Sequence, residues 1–175
     1  MNQIHPQVKY TMSTLLLPGS VESCISTMKA KLVDFESQRE LASCELIFVN
    51  FALGVTITDC HDLLDVEAVT YEFVGLFDSG FELDYEVAEK VDFFLPIDKF
   101  LVVHNLHVLP EFRGRKLSKV LIDDIAQRFV GDTDMLALKA YPLENNTPET
   151  TESLLRYYES IGFVSTGVND ILVRA

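Results

Sequence analysis

The stretch 100–129 constrains the fold more than any other part of the chain. Residues 100–109 are an apolar run with the look of a buried strand. Leu117, Leu121, Ile125 and Phe129 then recur every four residues, which marks one face of a helix. The short join at 110–116 carries Gly114 and the cations Arg113, Arg115 and Lys116. A strand that turns directly into a helix aims the first helical N–H groups at whatever lies above the sheet edge. Those unpaired donors, together with the positive end of the helix dipole, make an anion site. Cations at a helix start oppose the dipole, and an anion between them removes that penalty. The N–H groups of residues 114–118 can cradle a phosphate without side chains, and Gly114 allows close approach. The alternative is three solvated charges at a helix start.

The rest of the chain supplies a sheet for this unit. Val8, Tyr10 and Met12 alternate with polar residues, and the run continues to Leu17, so a strand is predicted over 7–17. Pro18 and Gly19 break it. Ser20 is a plausible N-cap, and Ile25, Met28, Leu32 and Phe35 predict a helix over 20–35. Residues 36–40 read as a loop. The apolar run 44–57 predicts strand, with Gly54 as a bulge or turn. Leu63, Val66, Val69, Phe73 and Leu76 form an apolar stripe that predicts one long helix over 60–77, capped by Asp59. Residues 80–96 read as an acidic loop with a helical turn at 86–91. A turn at 131–134, a strand at 135–141, a helix opening at Thr147-Pro148 and running to 161, and short strands at 163–165 and 170–174 complete the pattern. This order suits a mixed α/β sheet, of the α+β kind, with helices on both faces.

Length and charge narrow the function. A chain of 175 residues reads as one domain, 1–175, with room for a sizeable core. Acidic residues outnumber basic ones by 27 to 14, which argues against nucleic acid as a partner and permits a cationic one. No apolar run approaches the ~20 residues of a membrane helix, so no membrane partner is expected. Cys24, Cys44 and Cys60 fit no metal or disulfide spacing; an odd count without a signal peptide predicts a reducing cytoplasm and no metal.

The join also carries a resemblance. Val108-Leu109-Pro110-Glu111-Phe112-Arg113-Gly114-Arg115 resembles motif A of the GNAT superfamily of N-acyltransferases. In that motif a strand ends in Val-x-Pro-Glu-Tyr-Arg-Gly, and a pattern Arg/Gln-x-x-Gly-x-Gly/Ala wraps the pyrophosphate of acyl-coenzyme A. Tyr157-Tyr158-Glu159-Ser160-Ile161-Gly162-Phe163 resembles motif B, Tyr-x-x-x-Gly-Phe. The two cover roughly 98–165, in the family's order and spacing. This chain departs from the pattern by having Lys116 and Ser118 where it has Gly and Gly/Ala.

The resemblance implies a mostly antiparallel mixed sheet whose middle strands splay apart to admit coenzyme A. It implies acyl transfer, most simply from acetyl-CoA, to an amine that attacks the thioester directly. The pyrophosphate would lie at Arg113, Gly114, Arg115, Lys116, Leu117 and Ser118, and the pantetheine arm beside Leu106, His107 and Val108. Tyr158 stands where the family's tyrosine protonates the leaving thiolate; its alternative is a packed aromatic. Tyr157, next to it on the helix, is expected on another face. His104 shares strand parity with Val102 and Leu106 and is the candidate base; its alternative is a hydrogen-bonded core histidine. His107 has the opposite parity. The acidic segment 59–98, with twelve acids and Lys90, would line the acceptor side or be a solvated face. The acceptor would be a small amine, or a protein lysine or N-terminus, and the pattern leaves room for a homodimer. The rival is a non-catalytic module of the same fold that binds acyl-CoA or a protein, which Lys116 and Ser118 favour.

Overall fold

The computed structural model describes residues 4–14, 21–53, 60–78, 80–142, 144 and 147–175. Among them one sheet contains seven strands: β1 (Pro6–Thr14), β2 (Ile25–Asp34), β3 (Glu40–Asn50), β4 (Lys99–Val108), β5 (Asp134–Lys139), β6 (Val164–Ser165) and β7 (Ile171–Arg174). Their order is β1-β2-β3-β4-β5-β7-β6, and only β4 and β5 run parallel. The helices among the described residues are α1 (Cys60–Leu64), α2 (Ala68–Tyr71), α3 (Tyr85–Val91), α4 (Leu117–Phe129) and α5 (Pro148–Ser160). The architecture is mixed α+β with a mostly antiparallel sheet, and none of these helices is long and apolar enough to cross a membrane.

Each face of the sheet has its own core. On one face Leu63 and Leu64 of α1, Val87 of α3, and Phe73 pack with Ile47, Val49, Phe100 and Val102. On the other, Leu117, Leu121 and Ile125 of α4 and Tyr158 of α5 pack with Leu46, Leu101, Val103, Leu136 and Leu138. The four-residue stripe of α4 thus faces the sheet as its spacing requires. Burying each such Leu or Ile stabilises the fold by about 1.5–3 kcal/mol. Helix α5 starts where its local chemistry directs: the Thr147 hydroxyl accepts the Thr150 N–H at 3.3 Å, and Pro148 occupies the first turn. Helix α3 starts at Asp84, whose carboxylate accepts the Glu86 N–H at 2.9 Å.

Three expectations are corrected. The helix expected over 20–35 is a short 3-10 turn, Val21–Cys24, followed by β2. Met28, Ala30 and Leu32 are buried on one face while Thr27, Lys29 and Lys31 alternate with them on the other. Met28 and Leu32, four apart, share a face under either period, whereas the spacings of three fit a helix alone; pairing with β1 and β3 on either side decides for strand, so Ile25 joins the core of the opposite face and Phe35 is exposed. The long helix over 60–77 is broken into α1, α2 and a 3-10 turn at Val74–Leu76. Glu67 is extended (φ −122°, ψ 132°) ahead of α2, and the Thr70 hydroxyl donates to Leu64 O at 2.6 Å and to Glu67 O at 2.9 Å, satisfying carbonyls at the break. The apolar stripe still faces the core, since Leu63, Phe73 and Leu76 are buried and Val66 and Val69 pack beside them. Strand β3 spans 40–50 rather than starting at 44. The end of the first expected strand, Pro18, Gly19, Ser20, Gly54 and Asp59 lie outside the described residues.

Strands β4 and β5 diverge. Their last pair is Val103 with Leu138, yet β4 runs on to Val108. Just beyond that pair β4 carries one extra residue: against β3 the register passes from Glu45↔His104 to Ser43↔His107. Asn105 sits in the bulge at φ +51°, a conformation asparagine tolerates better than most residues.

Candidate functional site

The turn between β4 and α4 builds the first wall. Pro110–Phe112 is a single 3-10 turn, after which Gly114 (φ +75°) and Lys116 (φ +57°) both take the left-handed conformation. Lys116 is the N-cap of α4, its side chain makes no capping bond, and its carbonyl accepts the Val120 N–H at 3.2 Å. The N–H groups of Leu117, Ser118 and Lys119 precede that first helical bond and point outward with the positive end of the dipole. A Cβ placed on Gly114 would meet nothing within 4 Å, so the turn faces open space. The left-handed conformation costs a lysine about 1–2 kcal/mol.

The three cations of the turn part company. The Arg113 guanidinium makes a two-point pair with Glu144, at 2.9 and 2.5 Å, and its Nε donates to Val108 O at 3.2 Å. The Arg113 hydrogen bond holds the Glu144 carboxyl below the usual range, and Glu144 raises Arg113 in turn. Arg115 turns the other way: its guanidinium lies 5.7 Å from the centre of the Phe112 ring, whose neighbour Arg39 is ion-paired to Glu111. Lys116 has no ionic partner among the described residues and lines a cavity of about 450 Å³.

That cavity gathers most of the residues expected to hold a cofactor: Leu106, Val108, Arg113, Gly114, Lys116, Leu117 and Ser118, with Tyr158 behind them. His107 and Arg115 do not line it. A second cavity, of about 400 Å³, lies where β4 and β5 part. It is lined by Val103, Leu138 and Tyr158 from one face of the sheet and by Val69, Val102 and His104 from the other. Closed pairing of the two strands would forbid a space shared by both faces. The two cavities share Leu106 and Tyr158. Lys139 and Glu72 form an ion pair at 2.6 Å on the wall of the second.

Tyr158 is therefore the partition between two spaces. It is 8% exposed, and its ring packs on Tyr157 at 5.5 Å and on Phe163 at 5.9 Å. Its hydroxyl has no hydrogen-bond partner among the described residues, and burial, reinforced by Tyr157 and Cys44, pushes the phenol up to about 12. Tyr157 does not point elsewhere, as its place in the sequence suggested. Both tyrosines line the first cavity, and the Tyr157 hydroxyl meets Ser118 Oγ at 2.5 Å. Adjacent helical residues diverge by about 100°, which leaves both reachable from a cavity lying between their directions.

The bulge at Asn105 overturns the parity argument for β4. His104 stays on the face of Val102, but Leu106 and Val108 swing to the face of Val103. His107, opposite Ser43, joins His104, opposite Glu45, on the first face. One inserted residue reverses every side chain beyond it. His104 lines the through-sheet cavity, half-buried, and also a hollow of about 290 Å³ that includes Glu45, Glu67 and Thr27. Sequence reasoning missed Asn105, Tyr157 and Glu144. Only Asn105 left a local trace, as a residue tolerant of positive φ inside an apolar strand.

Among the described residues no group of His, Cys, Asp and Glu is placed to hold a metal, and Cys24, Cys44 and Cys60 are buried and form no disulfide with one another. No protein-family model matches the chain, and no curated protein matches it.

Proposed function

We propose that this chain is a GNAT-type acyltransferase that moves an acyl group, acetyl in the simplest case, from coenzyme A to an amine by direct attack. The observation that carries the reading is the through-sheet cavity between β4 and β5, which shares Leu106 and Tyr158 as a common wall with the cavity under the basic turn. Such a pair of spaces lets two substrates approach from opposite faces and meet at one point.

The residues suit the donor. Outward N–H groups at Leu117, Ser118 and Lys119, the Lys116 ammonium and the Ser118 hydroxyl form a donor set for a pyrophosphate. Lys116 adopts the backbone conformation that glycine takes freely, so the departure from the family pattern changes strain and charge rather than the path of the chain. Arg113 reaches a phosphate only by leaving Glu144. Beyond Val103 the edge of β4 has no partner on β5, which leaves backbone groups near Leu106–Val108 for an extended amide-bearing arm. Bound acyl-CoA supplies an activated thioester; the chain supplies position and protons. His104 takes the proton of the attacking amine, directly or through water, and Tyr158 offers its hydroxyl hydrogen to the departing sulfur. The preference for a protonated phenol keeps Tyr158 a donor at neutral pH.

A second reading, a binding module without catalysis, draws on the Arg113–Glu144 pair that occupies the turn's arginine. One experiment separates them. Calorimetry with acetyl-CoA measures binding, and release of free thiol in the presence of an amine panel measures transfer. Binding should raise stability by about 2.7 kcal/mol at a hundredfold excess over Kd. Failure of acetyl-CoA and CoA to bind at millimolar concentration refutes the acyltransferase and any acyl-CoA-binding module, leaving a protein-binding one, whereas binding without thiol release to any amine favours the acyl-CoA module.

A further inference from the structure

Tyr157 is not used in that reaction, yet it makes the closest tie between the two helices of the site. Its hydroxyl lies 2.5 Å from Ser118 Oγ, across 39 residues of sequence. Both residues are half-buried, and both line the cavity of about 450 Å³ that also holds Lys116 and Gly114. Ser118 belongs to the first turn of α4, where the backbone N–H groups are unpaired. The Tyr157 ring rests on the ring of Tyr158.

The direction of this hydrogen bond follows from acidity. A phenol is a far stronger acid than an aliphatic alcohol, so the phenol is the better donor and the serine oxygen the better acceptor. With Tyr157 donating, Ser118 Oγ spends a lone pair, and its own hydrogen stays available. The accepted bond also fixes the serine rotamer, so that hydrogen has a restricted set of directions, among them the cavity. An anionic oxygen in the cavity that accepts from Ser118 would in turn strengthen the Tyr157 bond, because hydrogen bonds in series polarise one another.

We propose that Tyr157 is a positioning residue, whose hydroxyl donates to Ser118 Oγ and so presents the Ser118 hydrogen to a phosphate oxygen of a coenzyme A-type ligand in the turn cavity. This rests on the acyl-CoA reading above. It adds that grip on the diphosphate is shared between α4 and α5. The same bond ties the phosphate end of the site to the backbone of Tyr158, one residue along, so a bound diphosphate steadies the helix that carries the proposed acid.

The test is a double-mutant cycle read on ligand binding. Calorimetric affinities for coenzyme A and for pantetheine, which lacks the diphosphate and nucleotide, are compared in wild type, Tyr157→Phe, Ser118→Ala and the double variant. Tyr157→Phe keeps the ring and its packing. Each single variant should weaken coenzyme A binding by about five- to tenfold, the double variant should be no weaker than Ser118→Ala, and pantetheine affinity should stay within about twofold throughout. A purely structural tie would lower thermal stability without this split between ligands. Coenzyme A binding that is unchanged in Tyr157→Phe while wild type binds well overturns the positioning role and leaves the acyl-CoA reading standing. Equal losses for pantetheine and coenzyme A also overturn it, since they indicate a distorted cavity. Should wild type bind no coenzyme A, the acyl-CoA reading fails and this role fails with it.

Discussion

Replacing Tyr158 by phenylalanine removes one hydroxyl and keeps a ring held by Tyr157 and Phe163. Its consequences can be worked from the environment of that hydroxyl. Burial pushes the phenol from 10.0 to about 12, so the folded chain keeps it protonated in a range where the unfolded chain ionises it. A group whose folded value is raised supports the fold fully below its unfolded value and loses that support as pH climbs through the folded one. Two units correspond to about 3 kcal/mol, of which about 2 kcal/mol is lost by pH ~11.5. Urea unfolding at pH 9 and at pH 11.5, followed by circular dichroism, should therefore show wild type losing about 2 kcal/mol more than Tyr158→Phe. Tyr10 is raised too, by burial and by Asp124, but it is common to both proteins and cancels in the difference. In the proposed reaction the same protonation would govern turnover. If Tyr158 is the acid, Tyr158→Phe should fall ~100-fold or more in kcat with the acyl-CoA Kd within about threefold, and the wild-type rate should show no descending limb between pH 8 and about 10.5. Equal alkaline losses in the two proteins would refute the buried, protonated phenol. A descending limb near pH 10 would show a phenol in ordinary solvent contact.

Four further outcomes follow from the geometry. Lys116→Gly should raise stability by about 0.5–1 kcal/mol by relieving the left-handed lysine, while coenzyme A affinity falls by an amount that shrinks in high salt; an unchanged affinity places the ammonium away from the ligand. Glu144→Gln frees Arg113 from an exposed pair, so the urea midpoint should barely move while coenzyme A binds more tightly; equal or weaker binding would show that Arg113 does not reach the cofactor. Asn105→Val should cost about 1–2 kcal/mol, because a β-branched residue resists φ +51°, and Asn105→Gly should not; equal stability of the two would dismiss the bulge. The Arg128 hydrogen bond holds the Asp124 carboxyl below its usual range, against burial, and the Tyr10 hydroxyl at 2.5 Å adds to it. That support is present above the ordinary carboxylate range and is lost as pH falls below it. Stability of Asp124→Asn should therefore decline less than wild type between pH 4 and 2 in acid titration.

The sequence by itself determined the parts whose physics is local. The apolar run of β4, the glycine and cations after it and the four-residue stripe of α4 led to one strand–turn–helix unit, because periodicity and turn chemistry act within a few residues. Thr147-Pro148 placed the start of α5, and Asp84 would have placed α3 by the same capping rule. Much of the wall of the turn cavity was legible for that reason: Gly114, Lys116, Leu117 and Ser118 are neighbours along the chain. Tertiary structure decided the rest. Residues 25–34 carried apolar spacings of three and four that suit a helix, and pairing with β1 and β3 on either side overrode them. Glu144 took Arg113 from across 31 residues, and the Tyr157 side chain of α5 reached Ser118 in the first turn of α4 from across 39. The faces of Leu106 and His107 turned on a single extra residue at Asn105, set by the β3 register. The cavity through the sheet exists because β4 runs past its last pair with β5. Each of these depends on a partner remote in sequence, and the periodicity of a segment carries no record of which remote group will meet it.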